Sequence, residues 1–182
     1  DFEDDLRRDA NALIGRRAEC DRLVKKLQET SAGLLWVDGV AGVGKSYLLA
    51  WVATECSRPS HDDAPKMLVL AYRFRASDER CRRETFLRFA AERLRAWLPA
   101  EDSAPGKIKS ATDTKTMLKQ LRHLLRLPAN HRVLFILDGL DEITARDARF
   151  AAEVPLALAA PGVTWLCAGR PVGDLSEVFA RA

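Results

Sequence analysis

An α/β fold built on a mainly parallel sheet is what the sequence predicts, and three features carry that prediction. Apolar runs of strand length alternate with longer segments of helical periodicity, the order expected when helices cross over between parallel strands. One run, Val133–Leu137, is apolar at all five positions, as suits a strand buried on both faces. A glycine-rich stretch, GVAGVGKS at 39–46, stands between a strand pattern and an apolar helix pattern.

The elements follow in order. Residues 3–11 and 18–29 read as helices separated by the turn LIGR. Gly33–Val37 reads as the first strand, and an apolar helix runs from Tyr47 to about Cys56. SRPSHDDAP, 57–65, is loop by its Ser, Pro and Asp content. A second strand, Met67–Phe74, leads through RASDERC to a helix over Arg83–Leu98, with Phe86, Phe89, Ala90, Leu94 and Trp97 as its apolar stripe. The polar stretch 99–112 ends at Asp113, an N-cap residue type. The next helix carries Met117, Leu118, Leu121, Leu124 and Leu125 on one face and stops before Pro128. The third strand runs into Asp138, and Val163–Ala168 is the fourth, followed by Gly169, Arg170 and Pro171.

A chain of 182 residues can bury a real core as one domain. Its apolar fraction of 47% and charged fraction of 30% are those of a globular protein. A net charge of +3 does not argue for nucleic acid. Arginines do crowd positions 73, 75, 80, 82, 83, 88, 93 and 95. Glu84, Arg88 and Glu92 alternate in sign at i,i+4, so a solvated, self-paired face is the expectation there. No run has the length of a membrane span and no signal peptide opens the chain, which gives a cytoplasmic expectation. Cys20, Cys56, Cys81 and Cys167 lie apart and are expected as reduced thiols, and the three histidines are too dispersed for a zinc site.

GVAGVGKS matches G-x-x-x-x-G-K-[ST], and each fixed position has a physical reason. A loop wrapping a polyphosphate must turn its N–H groups inward, through backbone angles that glycine tolerates. The following helix adds its dipole and unpaired N–H groups. Gly39, Ala41, Gly42, Val43, Gly44, Lys45, Ser46 and Tyr47 are therefore the candidate phosphate-side residues. Lys45 can reach the β- and γ-phosphates, and the Ser46 hydroxyl can ligate Mg²⁺. An aspartate ending a neighbouring strand completes such a magnesium shell, and Asp138 is the candidate. Trp36 and Trp51 flank the loop, but their strand and helix patterns point to packing.

The pairing of GVAGVGKS with LFILDGLDE resembles the NACHT branch of the STAND class, signal-transducing ATPases related to AAA+ proteins. The resemblance implies a three-layer P-loop NTPase of the ASCE type, with strand order 1-4-3-2 for the four strands visible. The family's fifth strand, and the domains that normally follow, are expected to lie beyond Ala182 in a longer parent chain. In that branch the magnesium aspartate is followed by a small residue and by acids three and four places on, here Gly139, Asp141 and Glu142. LIGRRAECDRL is similar to the segment that lines the adenine pocket, which implicates Ile14, Gly15 and Arg16 and sets 1–30 apart from a core at 31–182. VTWLCAGRP is similar to the sensor strand, whose arginine, here Arg170, faces the γ-phosphate.

The implied function is an ATP- and ADP-binding core that hydrolyses slowly with Mg²⁺ and switches oligomerisation of a parent chain with fused effector and sensor domains, in innate immunity or bacterial defence. A water attacking the γ-phosphate needs an acceptor near the magnesium aspartate. Gly139 cannot supply one, so Glu142 is the expected water-positioning acid and Asp141 a supporting one. The rival readings are an AAA+-type motor acting on DNA or protein, which normally has glutamate where this chain has Gly139, and a module in which the nucleotide is only structural.

Overall fold

The computed structural model describes residues 2–12, 15–58, 66–99 and 113–170. Four strands, β1 (Gly33–Val37), β2 (Lys66–Arg73), β3 (His131–Asp138) and β4 (Val163–Ala168), form one sheet in the order β1-β4-β3-β2. Every pairing is parallel. This is the P-loop NTPase arrangement, and it puts β4 between the strand that leads into the glycine loop and the strand that ends at Asp138.

Side chains alternate across this sheet because successive Cβ atoms point to opposite faces. Val133, Phe135, Leu137, Trp165 and Cys167 enter one core, whereas Leu134, Ile136, Leu166 and Ala168 enter the other. Phe135 and Trp165 stack across β3 and β4, with ring centroids 4.1 Å apart. Two apolar faces need two covering layers. Helices α2 (Arg17–Glu29) and α3 (Lys45–Cys56) supply one, through Leu27, Leu49, Val52 and Ala53. Helix α1 (Phe2–Asn11) packs on α3. Helices α4 (Arg83–Trp97), α5 (Thr114–Leu124), α6 (Leu140–Arg146) and α7 (Phe150–Ala157) supply the other.

Most sequence expectations hold to within two residues. Asp113 caps α5, its carboxylate accepting from the N–H groups of Lys115 and Thr116. The stripe of α4 is inward: Phe86, Ala90 and Leu94 are buried, with Phe89 and Trp97 packed at the margin. Two helices were not expected. One, α6, starts two residues after Asp138, and the other, α7, covers Phe150–Ala157. Most of the expected loop at 57–65, residues 100–112 of the polar stretch and Pro171 lie outside the described residues.

The arginine-rich segment also departs from the expected solvated face. Arg83 lies on the inner side of α4, its guanidinium 2.6 and 2.7 Å from the two oxygens of Asp147 and 2.7 Å from Glu153. It ties α4 to the connection between α6 and α7 and to α7 itself. Arg73 is likewise enclosed, at the end of β2. Arg88 and Glu92 are exposed as expected. All four cysteines are free thiols.

Candidate functional site

The C-terminal ends of the parallel strands open into a cleft of about 280 Å³, where α/β folds of this kind bind ligands. The glycine loop forms its floor. Gly44 adopts a left-handed conformation with φ 89°, so the chain turns sharply and α3 begins at Lys45, two residues before the expected start. Lys45 and Ser46 therefore sit in the first helical turn, where unpaired N–H groups gather. The Lys45 ammonium folds over the loop, donating to the carbonyl oxygens of Gly39 and, at 3.0 Å, Val40. Tyr47 lines the same cleft and is partly exposed.

Opposite the loop, β2 and β3 end in register, Arg73 beside Asp138. Arg73 Nε donates to Asp138 Oδ2 at 2.7 Å, and Arg73 Nη1 lies 2.8 Å from Asp9 Oδ2 on α1. Burial works against the charge of Arg73, but the two carboxylates outweigh it and raise its pKa above the ordinary guanidinium value. Neither Arg73 nor Asp9 was among the residues expected here. The signal was present in the sequence, because a charge that ends a buried strand at the ligand edge is the argument that singled out Asp138. In the sequence, Arg73 is obscured by the arginines that follow it at 75, 80, 82 and 83.

Beyond Asp138 the chain turns through Gly139, in a left-handed conformation with φ 75°. A Cβ at this position would lie 2.8 Å from the carbonyl oxygen of Phe74. That contact follows from the Phe74 N–H bonding the Asp138 carbonyl at 2.9 Å, which holds the two strand ends together. A side chain is thus excluded immediately after the aspartate, and the two following acids fall in the first turn of α6. Asp141 Oδ1 accepts from the Arg170 N–H at 3.1 Å, and its Oδ2 lies 3.5 Å from Arg170 Nε. Glu142 accepts from the Ala76 N–H, and Arg146 donates to the Ala76 carbonyl, so α6 fastens the segment that follows β2.

The cleft brings together Lys45, Ser46, Asp138, Asp141, Glu142 and Arg170. Arg16 reaches the loop from the N-terminal side, Nη1 donating to the Val43 carbonyl at 3.0 Å while Nε bonds Glu19 at 2.9 Å. Gly15 adjoins it at the start of α2, with Arg16 as the N-cap, and Ile14 lies outside the described residues. Trp36 and Trp51 pack against the two cores, as expected. Ser46 and Asp138, which carry hard oxygen donors, line the same cleft. That donor set fits Mg²⁺, which takes one or two protein ligands and retains several waters.

The sequence model of the NACHT domain family matches residues 33–176, well over half of the chain. No curated protein matches the chain.

Proposed function

Because the chain belongs to the NACHT family of nucleoside triphosphatase domains, we propose that its cleft binds ATP and ADP with Mg²⁺ and hydrolyses ATP slowly, as a conformational switch. The observation that carries this reading is the convergence of the glycine loop, Asp138 and the two α6 acids on one cleft. Loop N–H groups and the first turn of α3 receive the phosphates. The Lys45 ammonium exchanges its loop carbonyls for β- and γ-phosphate oxygens, a charge-assisted contact. Ser46 and Asp138 hold Mg²⁺, which when bound neutralises phosphate charge. Arg170, steered by Asp141, faces the γ-phosphate, and Glu142 orients the attacking water. Gly15 and Arg16, with Ile14, form the adenine side.

An acid on the first turn of a short helix, fastened to Ala76, is placed less rigidly than one on the strand. Misplacement by about 1 Å can cost on the order of a hundredfold in rate. Slow turnover suits a timer that governs self-association of a longer chain carrying effector and sensor domains, as in innate immunity or bacterial defence. A cytoplasmic location is part of the same proposal; among the described residues no helix is long and apolar enough to cross a membrane. The test is Asp138→Asn measured by titration calorimetry. Mg²⁺-dependent ATP affinity should fall about tenfold or more while metal-free ADP binding stays within about twofold. An equal loss with and without Mg²⁺ would reject the metal role.

A further inference from the structure

The contact between Arg73 and Asp138 poses a question that the nucleotide reading leaves open. Asp138 keeps a second oxygen for a cation, but a guanidinium whose Nε sits 2.7 Å from Oδ2 already offsets that carboxylate's charge and repels a cation bound beside it. If the arginine simply left, its charge would stand unmatched in a site where its side chain is only 12% exposed. Such an orphaned charge is expensive. The fold supplies a second acceptor. Asp9, on α1, is itself 12% exposed at the side chain and already lies 2.8 Å from Arg73 Nη1. Arg8 approaches its other oxygen only at 3.9 Å and is largely exposed, so solvent screens that pair.

We propose that Asp9 and Arg73 form a counter-ion exchange device for the metal carboxylate: Arg73 and Mg²⁺ compete for Asp138, and Asp9 keeps the arginine's charge matched when Asp138 turns to the metal. The inference rests on the assignment of Asp138 to Mg²⁺. Arg73 and Asp9 are positioning residues, acting through Asp138. Helix α1 thereby becomes part of the nucleotide response. Whatever docks α1 on α3 presents Asp9 and favours metal binding, and by reciprocity metal binding strengthens the docking.

The two residues have opposite predicted signs, which a merely structural bridge would not give. With ADP bound to the full chain, a Mg²⁺ titration should show Asp9→Asn weakening Mg²⁺ about tenfold, because Arg73 then has only Asp138 to hold. Arg73→Met removes the competitor and should bind Mg²⁺ at least as tightly as the unaltered chain. Asp9→Asn combined with Arg73→Met removes the arginine and its outer acid together and leaves Asp138 to the metal alone, so it should return to within about threefold of Arg73→Met. ADP affinity in EDTA should stay within about twofold in all three. Unchanged Mg²⁺ affinity in Asp9→Asn, weakening in Arg73→Met, or no recovery in the double variant would each overturn the device. Loss of metal-free ADP affinity in Arg73→Met would make Arg73 a phosphate ligand and overturn it as well. Asp138→Asn separates the two levels. If it leaves Mg²⁺ affinity intact, the metal assignment fails and this inference with it; if it weakens Mg²⁺ while Asp9→Asn does not, only the exchange device fails.

Discussion

Three carboxylates leave the end of β3 between residues 138 and 142, and the fold sends each to a different neighbour. Asp138 meets Arg73, Asp141 meets Arg170, and Glu142 meets the Ala76 N–H. Identical chemistry is separated by geometry alone. Under the proposed mechanism only Glu142 acts on the water, so Glu142→Gln should lower single-turnover ATP hydrolysis about a hundredfold while ATP affinity stays within about twofold. A variant that hydrolyses normally would return the role to Asp141. At this scale, the residues that were legible are those whose spacing is dictated by the phosphate. Lys45 and Ser46 follow from the loop, and Asp138 from its place at a strand end. The pairings those residues make were not legible, even where the partner's position at a strand end was. Arg73 and Asp9 are 64 positions apart in the chain, and only the packing of α1 on α3 brings them together, as only the parallel register sets Arg73 beside Asp138.

At the scale of elements, the strands were readable because both faces of a central sheet are covered. A run such as Val133–Leu137 then has no polar position to blur it. Helices α6 and α7 were not readable, for local reasons. The first is seven residues long and buries only Leu140 and Ile143 behind a positive-φ glycine, too little to show a helical period. The second carries Pro155 within it, a residue that normally argues against a helix interior. What secures this pair is tertiary. Arg83 is 13% exposed at its side chain and bonds both oxygens of Asp147 and one of Glu153. Its charge is held up chiefly by the hydrogen bond to Asp147. Arg83→Met would leave two acids unmatched and should destabilise the fold by about 2 kcal/mol, read as a lower urea midpoint. Since α6 also carries Glu142, the same variant should slow hydrolysis more than it weakens nucleotide binding.

For the molecule as a whole, the distribution of titratable groups sets a pH limit on the alkaline side. Burial pushes the Cys56 thiol from about 9 up to about 11, and burial also raises Cys167 and Tyr72. Each of these is held in its neutral form by the fold. Above pH 9 the unfolded chain releases thiol protons that the folded chain retains, so the unfolded state binds fewer protons and stability falls as pH rises. The urea midpoint should therefore hold near pH 8 and drop progressively from about pH 9 through about pH 11. Cys56→Ala should make that decline shallower. A flat profile across the window would contradict the burial of these groups.

The approach of Phe74 to Gly139 also bears on how such a site can change over generations. A Cβ at 139 would stand 2.8 Å from a main-chain oxygen, on a backbone turned to positive φ. No single codon change can therefore place a working acid directly behind Asp138, because the ends of β2 and β3 must first move apart. A lineage drifting by one substitution at a time is kept from a strand-borne acid by a steric barrier in the main chain. Its accessible route to altered turnover lies through the first turn of α6, where Asp141 and Glu142 already stand.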